Sequence, residues 1–125
     1  MKIKNVPIFL STLALVFSSL ACWRTNRPDL VIAPADLPEA RMGVPYDVEI
    51  LVSQNETPVY TMSISEGTLP RGLVFEFDED AHEDKARISG VPEESGTFTF
   101  KVFVGCLGTS VNGQTGEQEF TLVVK

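Results

Sequence analysis

Gly96-Thr97-Phe98-Thr99-Phe100-Lys101-Val102-Phe103-Val104 has the period of a strand, not of a helix. Phe98, Phe100, Val102 and Val104 fall on one side, and Thr97, Thr99 and Lys101 fall on the other, which is the pattern of a half-buried strand. Continuing the same count, Cys106 points its thiol inward and Phe103 points out. The neighbouring runs repeat the pattern. Tyr46, Val48, Ile50 and Val52 share a side against Asp47 and Glu49; Tyr60, Met62 and Ile64 alternate with Thr61, Ser63 and Ser65; Phe120, Leu122 and Val124 close the chain. Shorter strands are expected at Leu30 to Ala33, Leu73 to Phe77 and Ala86 to Ser89.

Turn chemistry separates these runs. Val44-Pro45, Leu69-Pro70-Arg71-Gly72, Gly90-Val91-Pro92, Glu94-Ser95-Gly96 and Asn112-Gly113 supply either the fixed φ of proline or the positive φ open to glycine. No stretch has the apolar spacing of a long amphipathic helix. About seven strands are expected, and the fold class that follows is all-β, an immunoglobulin-like β-sandwich. The chain of 125 residues has room for one such domain plus appendages.

Five segments occur in an order that resembles the bacterial Putative Ig domain family, related to the dystroglycan-type cadherin-like domains. They are Gly43-Val44-Pro45-Tyr46, Tyr60-Thr61-Met62-Ser63-Ile64, Gly67-Thr68-Leu69-Pro70-Arg71-Gly72-Leu73, Ile88-Ser89-Gly90-Val91-Pro92 and Gly96 to Val102. The similarity covers Leu30 to Lys125. It implies an extracellular module whose Pro and Gly residues set turns and whose Leu73, Ile88 and Phe100 fill a core. Met62 stands where the family often has Trp. The acidic run Asp78-Glu79-Asp80-Ala81-His82-Glu83-Asp84-Lys85 replaces a shorter turn.

The N-terminus has a different character. Lys2 and Lys4 precede an uncharged apolar stretch, Val6 to Ala21, which has the layout of a secretory signal and is shorter than the roughly 20 residues of a membrane span. Ser19-Leu20-Ala21-Cys22 resembles a bacterial lipobox, with Ser19 where that pattern prefers Leu. The expected organisation is a lipoprotein signal peptide at residues 1–21, a lipidated Cys22 with a tether at 22–29, and the Ig-like domain at 30–125. No inner-membrane retention signal follows the lipidated Cys, since Trp23 stands where that signal has Asp, so the lipoprotein resemblance implies the outer membrane. The alternative is a soluble secreted domain with a Cys22 to Cys106 disulfide.

Removing residues 1–21 leaves eight cations and seventeen acids, 8 − 17 = −9, a balance that repels phosphate backbones and excludes nucleic acid as a partner. Within the acidic run, Asp78, Asp80 and Asp84 offer oxygen ligands to Ca²⁺, with His82 as an added ligand for a transition metal. The run lacks the Gly and the final bidentate Glu of an EF-hand loop, and a solvated loop is the competing expectation. The chain contains one His and no nucleophile elbow or glycine-rich phosphate loop, so no enzyme is expected. The expected function is a non-catalytic interaction or structural module. It would contact an envelope protein or a surface polymer through an outward apolar patch of Phe103 and Val123, with Leu51 or Leu107 nearby, or through the Gly105 to Gln118 loop.

Overall fold

The computed structural model describes residues 27–108 and 112–125. The signal segment, Cys22 and most of the tether therefore lie outside the described residues. Seven strands form: β1 (Val31–Ala33), β2 (Tyr46–Ser53), β3 (Val59–Gly67), β4 (Leu73–Glu76), β5 (Lys85–Gly90), β6 (Gly96–Cys106) and β7 (Thr115–Val124). They make two antiparallel sheets, ordered β1-β2-β5-β4 and β3-β6-β7. This is the strand arrangement of a constant-type immunoglobulin domain.

The inner faces follow from the alternation. Ile50 and Val52 on β2, Ala86 and Ile88 on β5, and Phe100, Val102, Val104 and Cys106 on β6 are all buried, together with Phe120, Leu122 and Val124 on β7. The Phe100 and Phe120 rings are cross-strand partners with centroids 5.9 Å apart. Burying side chains of this size stabilises the fold by about 1.5–3 kcal/mol each.

The two proline and glycine motifs are halves of one contact. Leu73 pairs with Gly90 across β4 and β5. A Cβ on Gly72 (φ 92) would stand 1.9 Å from the Val91 carbonyl oxygen, and one on Gly90 (φ 132) would stand 2.0 Å from the Gly72 carbonyl oxygen. The backbones come this close because Val91 N–H donates to Gly72 O (3.2 Å) and Glu93 N–H donates to Arg71 O (2.8 Å). Only glycine fits both the φ and the space.

β3 departs from the expected alternation at its first member. Val59 is fully buried and Tyr60 is turned outward, because Val59 pairs with Cys106 while Thr61 already pairs with Gly105. One extra residue in β3 makes a β-bulge and shifts the phase, so that Met62 is again buried. β7 also starts earlier than its apolar residues suggest. Thr115, Glu117 and Glu119 alternate with Gly116 and Gln118, a stretch with no apolar signal that is nevertheless paired with β6 from Thr115 onward.

Antiparallel pairing sorts the loops to two ends. Arg27, the β2–β3 loop, the β4–β5 loop and the β6–β7 loop gather at one end. The β1–β2, β3–β4 and β5–β6 loops and Lys125 gather at the other. Gln114 clamps the first end: its side-chain N–H donates to Pro28 O (2.8 Å) and Gln54 O (3.2 Å), and its oxygen accepts from Glu56 N–H (2.8 Å). At the second end Ala40 covers the edge of β7, donating to Val123 O (2.9 Å) and accepting from Lys125 N–H (2.9 Å).

Candidate functional site

The outer face of β1-β2-β5-β4 carries a cross-strand set of charges beside the exposed Val31, Leu51 and Val74. Arg87 lies between Glu49 and Glu76 in register and donates from Nε to Asp47 Oδ1 (2.6 Å) and from Nη2 to Asp47 Oδ2. That hydrogen bonding holds the Asp47 carboxyl below its usual pKa and raises the guanidinium's. Beside the pair lies a cavity of about 220 Å³ lined by Glu49, Glu76, Asp78, Glu83, Lys85 and Arg87.

Of the three expected metal ligands, only Asp78 lines that cavity. Its Oδ1 already accepts from the backbone N–H groups of Asp80 (3.0 Å) and Ala81 (3.2 Å), folding the turn back on itself. Asp84 is drawn away, with Oδ1 accepting from Asn55 Nδ2 (3.0 Å) and its carbonyl accepting from Val52 N–H (2.8 Å). Asp80 and His82 are exposed. The structure does not bring Asp78, Asp80 and Asp84 together: among the described residues no three His, Cys, Asp or Glu side chains form a metal-holding group. Cys106 is a free, buried cysteine. Burial pushes its thiol pKa up, with the Asp84 charge adding to the effect. The lipidation site Cys22 lies outside the described residues.

The expected patch of Phe103 and Val123 is not one patch. Phe103 is opposite Glu117, whereas Val123 is opposite Thr97, so six β6 residues, about 20 Å, separate them. Leu51 belongs to the other sheet, where it pairs with Lys85. The alternation placed Phe103 and Val123 on the outer side correctly but carried no information on register.

A second aromatic side chain, Tyr60, lies on that face one row along β6 from Phe103. The Cβ direction of Gly105, two residues along β6 on the same outer side, runs into the Tyr60 ring at 3.1 Å (Cε1) and 3.3 Å (Cζ) and the Thr61 methyl at 3.0 Å. Tyr60 therefore covers the bare glycine and remains 45% exposed. The bulge in β3 re-aims this ring, setting Tyr60 and Thr61 side by side over Gly105. Ser63 and Glu117 flank Phe103 from the two adjacent strands. In the next row Lys101 lies opposite Glu119 and pairs with Glu66 (Nζ to Oε2, 3.2 Å), which raises the Lys101 pKa. The signal for this site in the chain is Gly105 itself, since a glycine inside an otherwise apolar strand marks a bulge or a close approach.

A family model described as Putative Ig domain matches residues 28–125. No curated protein matches the chain. Among solved structures, the SrpA adhesin from Streptococcus sanguinis is similar with a TM-score of 0.59 at 15% identity, over 81% of this chain and 59% of that one. The sialic acid binding region of the Streptococcus sanguinis SK1 adhesin, bound to 3'sLn, is similar with a TM-score of 0.57 at 16% identity, over 81% of this chain and 31% of that one. The chain thus spans less than two thirds of either adhesin structure, and at these identities the likeness is one of fold.

Proposed function

Because the chain belongs to the Putative Ig domain family, we propose that it acts by holding a partner and not by turning over a substrate, as a lipid-anchored module of the bacterial cell envelope. The observation that carries this reading is the outer face of β3-β6-β7, where a bulge turns a half-exposed Tyr60 outward over Gly105, one row along β6 from the partly exposed Phe103. Exposed aromatics framed by polar residues are the usual content of a recognition surface. The similarity in fold to a sialic acid binding region of an adhesin is in keeping with capture of a surface ligand.

Ser19-Leu20-Ala21-Cys22 supports the anchor, and Trp23 in place of Asp supports the outer membrane. Arg27 is fixed at the end of the sandwich formed by the β2–β3 and β6–β7 loops, donating to Glu56 Oε2 (2.7 Å) and Asn112 O (2.6 Å). A lipid on Cys22, five residues upstream in the chain, would set this end against the bilayer at a reach of at most about 18 Å. Partition between detergent and water, with mass spectrometry of the mature N-terminus, tests the anchor. The wild-type chain should enter the detergent phase with a diacylglyceryl adduct on Cys22, and Cys22→Ala should move to water. A Cys22 to Cys106 disulfide in place of the adduct would overturn it.

A further inference from the structure

We propose that the anchored end of the outer β3-β6-β7 face rests in the headgroup region of the bilayer holding the lipid on Cys22, a placement that rests on the anchored-module reading and names what this face holds. The exit of the chain from the sandwich is fixed by three contacts. Arg27 donates to Glu56 Oε2 (2.7 Å) and Asn112 O (2.6 Å), Pro28 O accepts from Gln114 Nε2 (2.8 Å), and the Cβ direction of Gly116 meets the Leu30 side chain at 3.3 Å. The chain therefore leaves beside the β6–β7 loop and the start of β7, with Cys22 five residues away from Arg27, at most about 18 Å. Leu107 stands at that exit. Its N–H donates to Pro58 O (3.0 Å), and its carbonyl accepts from Oγ1 of Thr57 (2.7 Å), the neighbour of the Glu56 that holds Arg27.

This corner presents what a lipid interface takes up. Leu107 is 39% and Tyr60 45% exposed, and they are the exposed large apolar side chains at this face among the described residues. Leu107 lies two residues, about 7 Å, beyond Gly105, over which the Tyr60 ring is set. The residues paired beside them, Pro58 and Thr61 on one side and Thr115 on the other, carry no charge. Glu56, the carboxylate at the exit, is paired with Arg27. Along the face the next carboxylate is Glu117, opposite Phe103, four residues or about 13 Å from Leu107. An uncharged band of this depth matches the roughly 5–10 Å by which apolar side chains enter the headgroup region, and Tyr60 has the apolar body and polar tip of residues that collect there.

Charge decides which way the domain leans. The β4–β5 loop lies at the same end on the side of the other sheet, and its Asp78, Glu79, Asp80, Glu83 and Asp84 are all exposed. Anionic headgroups repel these carboxylates within a Debye length. Val31 and Leu51 are exposed at this end too, but they share their outer face with Glu49 and Glu76. The β1-β2-β5-β4 side is therefore lifted and the uncharged band of β3-β6-β7 tipped down.

The test is paramagnetic relaxation of backbone amides in the lipidated full chain, reconstituted in nanodiscs of phosphatidylethanolamine and phosphatidylglycerol that carry a gadolinium-chelating lipid. Amides of Tyr60, Gly105 and Leu107 should relax at least about fivefold faster than those of Met42 and Val91, since the eleven residues of β6 set the two ends about 35 Å apart. The amides of Asp78 to Asp84 should relax at least about twofold more slowly than that of Leu107, and Asp78→Asn with Asp80→Asn should narrow this gap. Tyr60→Ser with Leu107→Ser should lower the contrast between the two ends by about threefold, with thermal unfolding showing that the variant is folded. Leu107→Ser alone should act in the same direction and leaves the ring over Gly105 in place, so a poorly folded double variant does not remove the comparison. The proposal is overturned if the three amides relax no faster than those of the far end, if the Asp78 to Asp84 amides relax as fast as they do, or if both serine variants behave as wild type. Shifts of the band that follow protein concentration without lipid would assign it to a second copy and overturn it as well. Mass spectrometry of the same sample keeps the two readings apart: no contrast on a chain carrying the diacylglyceryl adduct at Cys22 removes the lean alone, and a chain lacking the adduct removes the anchor with it.

Discussion

The two outer faces of the sandwich obey the same alternation and differ in what register sets side by side. On β1-β2-β5-β4, Asp47 and Arg87 neutralise each other and Glu49 and Glu76 border the guanidinium, so the polar residues spend their interactions within the face. On β3-β6-β7, one bulge and one glycine hold Tyr60 outward over Gly105, where it stays 45% exposed. Alternation thus decides only that a side chain faces out. Whether it remains available depends on what register sets beside it.

The largest way to break this contrast is through the close backbone contact on the charged sheet. Gly72→Ala drives a Cβ to 1.9 Å from the Val91 carbonyl oxygen at φ 92, and should cost about 3 kcal/mol or more in a urea melt through strain and overpacking. Next is the core that both sheets share. Burial raises the Tyr46 pKa to about 12, while its hydroxyl donates to Pro38 O (2.9 Å). The folded state holds this proton more tightly than the unfolded one. Its contribution is therefore complete below pH 10 and lost as pH rises toward 12, an alkaline fall in Tm that Tyr46→Phe should remove.

Gly105→Ala then sharpens the comparison. It is the same chemical change as at Gly72, but the added methyl meets a side-chain ring at 3.1 Å, which can move. A loss of about 1 kcal/mol is expected, together with a displaced Tyr60 ring seen in its NMR shifts. The smallest effect belongs to the charged face. Since Arg87 depresses the folded Asp47 pKa, that pair adds stability above pH 3.8 and loses it as pH falls through the folded value. Asp47→Asn should shift Tm slightly, less in high salt, and leave the acid limb of the stability curve shallower.

Much of the fold was legible in particular residues. The Phe98 to Val104 alternation gave β6 its inward face, and Leu69 to Leu73 with Ile88 to Pro92 marked two turns, although not that they touch. Tyr60 was misread because an extra residue in a bulge changes the phase of a strand without changing its composition. Gln114, a buried polar residue in a loop, had no local signature, as its three hydrogen bonds reach segments far away in the chain.

The chain alone determined its class, its seven strands, its acidic surface and the inward path of Cys106, because period-two patterning and turn chemistry act over a few neighbouring residues. Tertiary structure alone decided that Val123 stands about 20 Å from Phe103, that Tyr60 turns outward over Gly105, and that Asp78 and Asp84 turn to separate partners. Those outcomes depend on register between strands distant in sequence, and register is set by how two whole faces fit together and not by the residues within either strand.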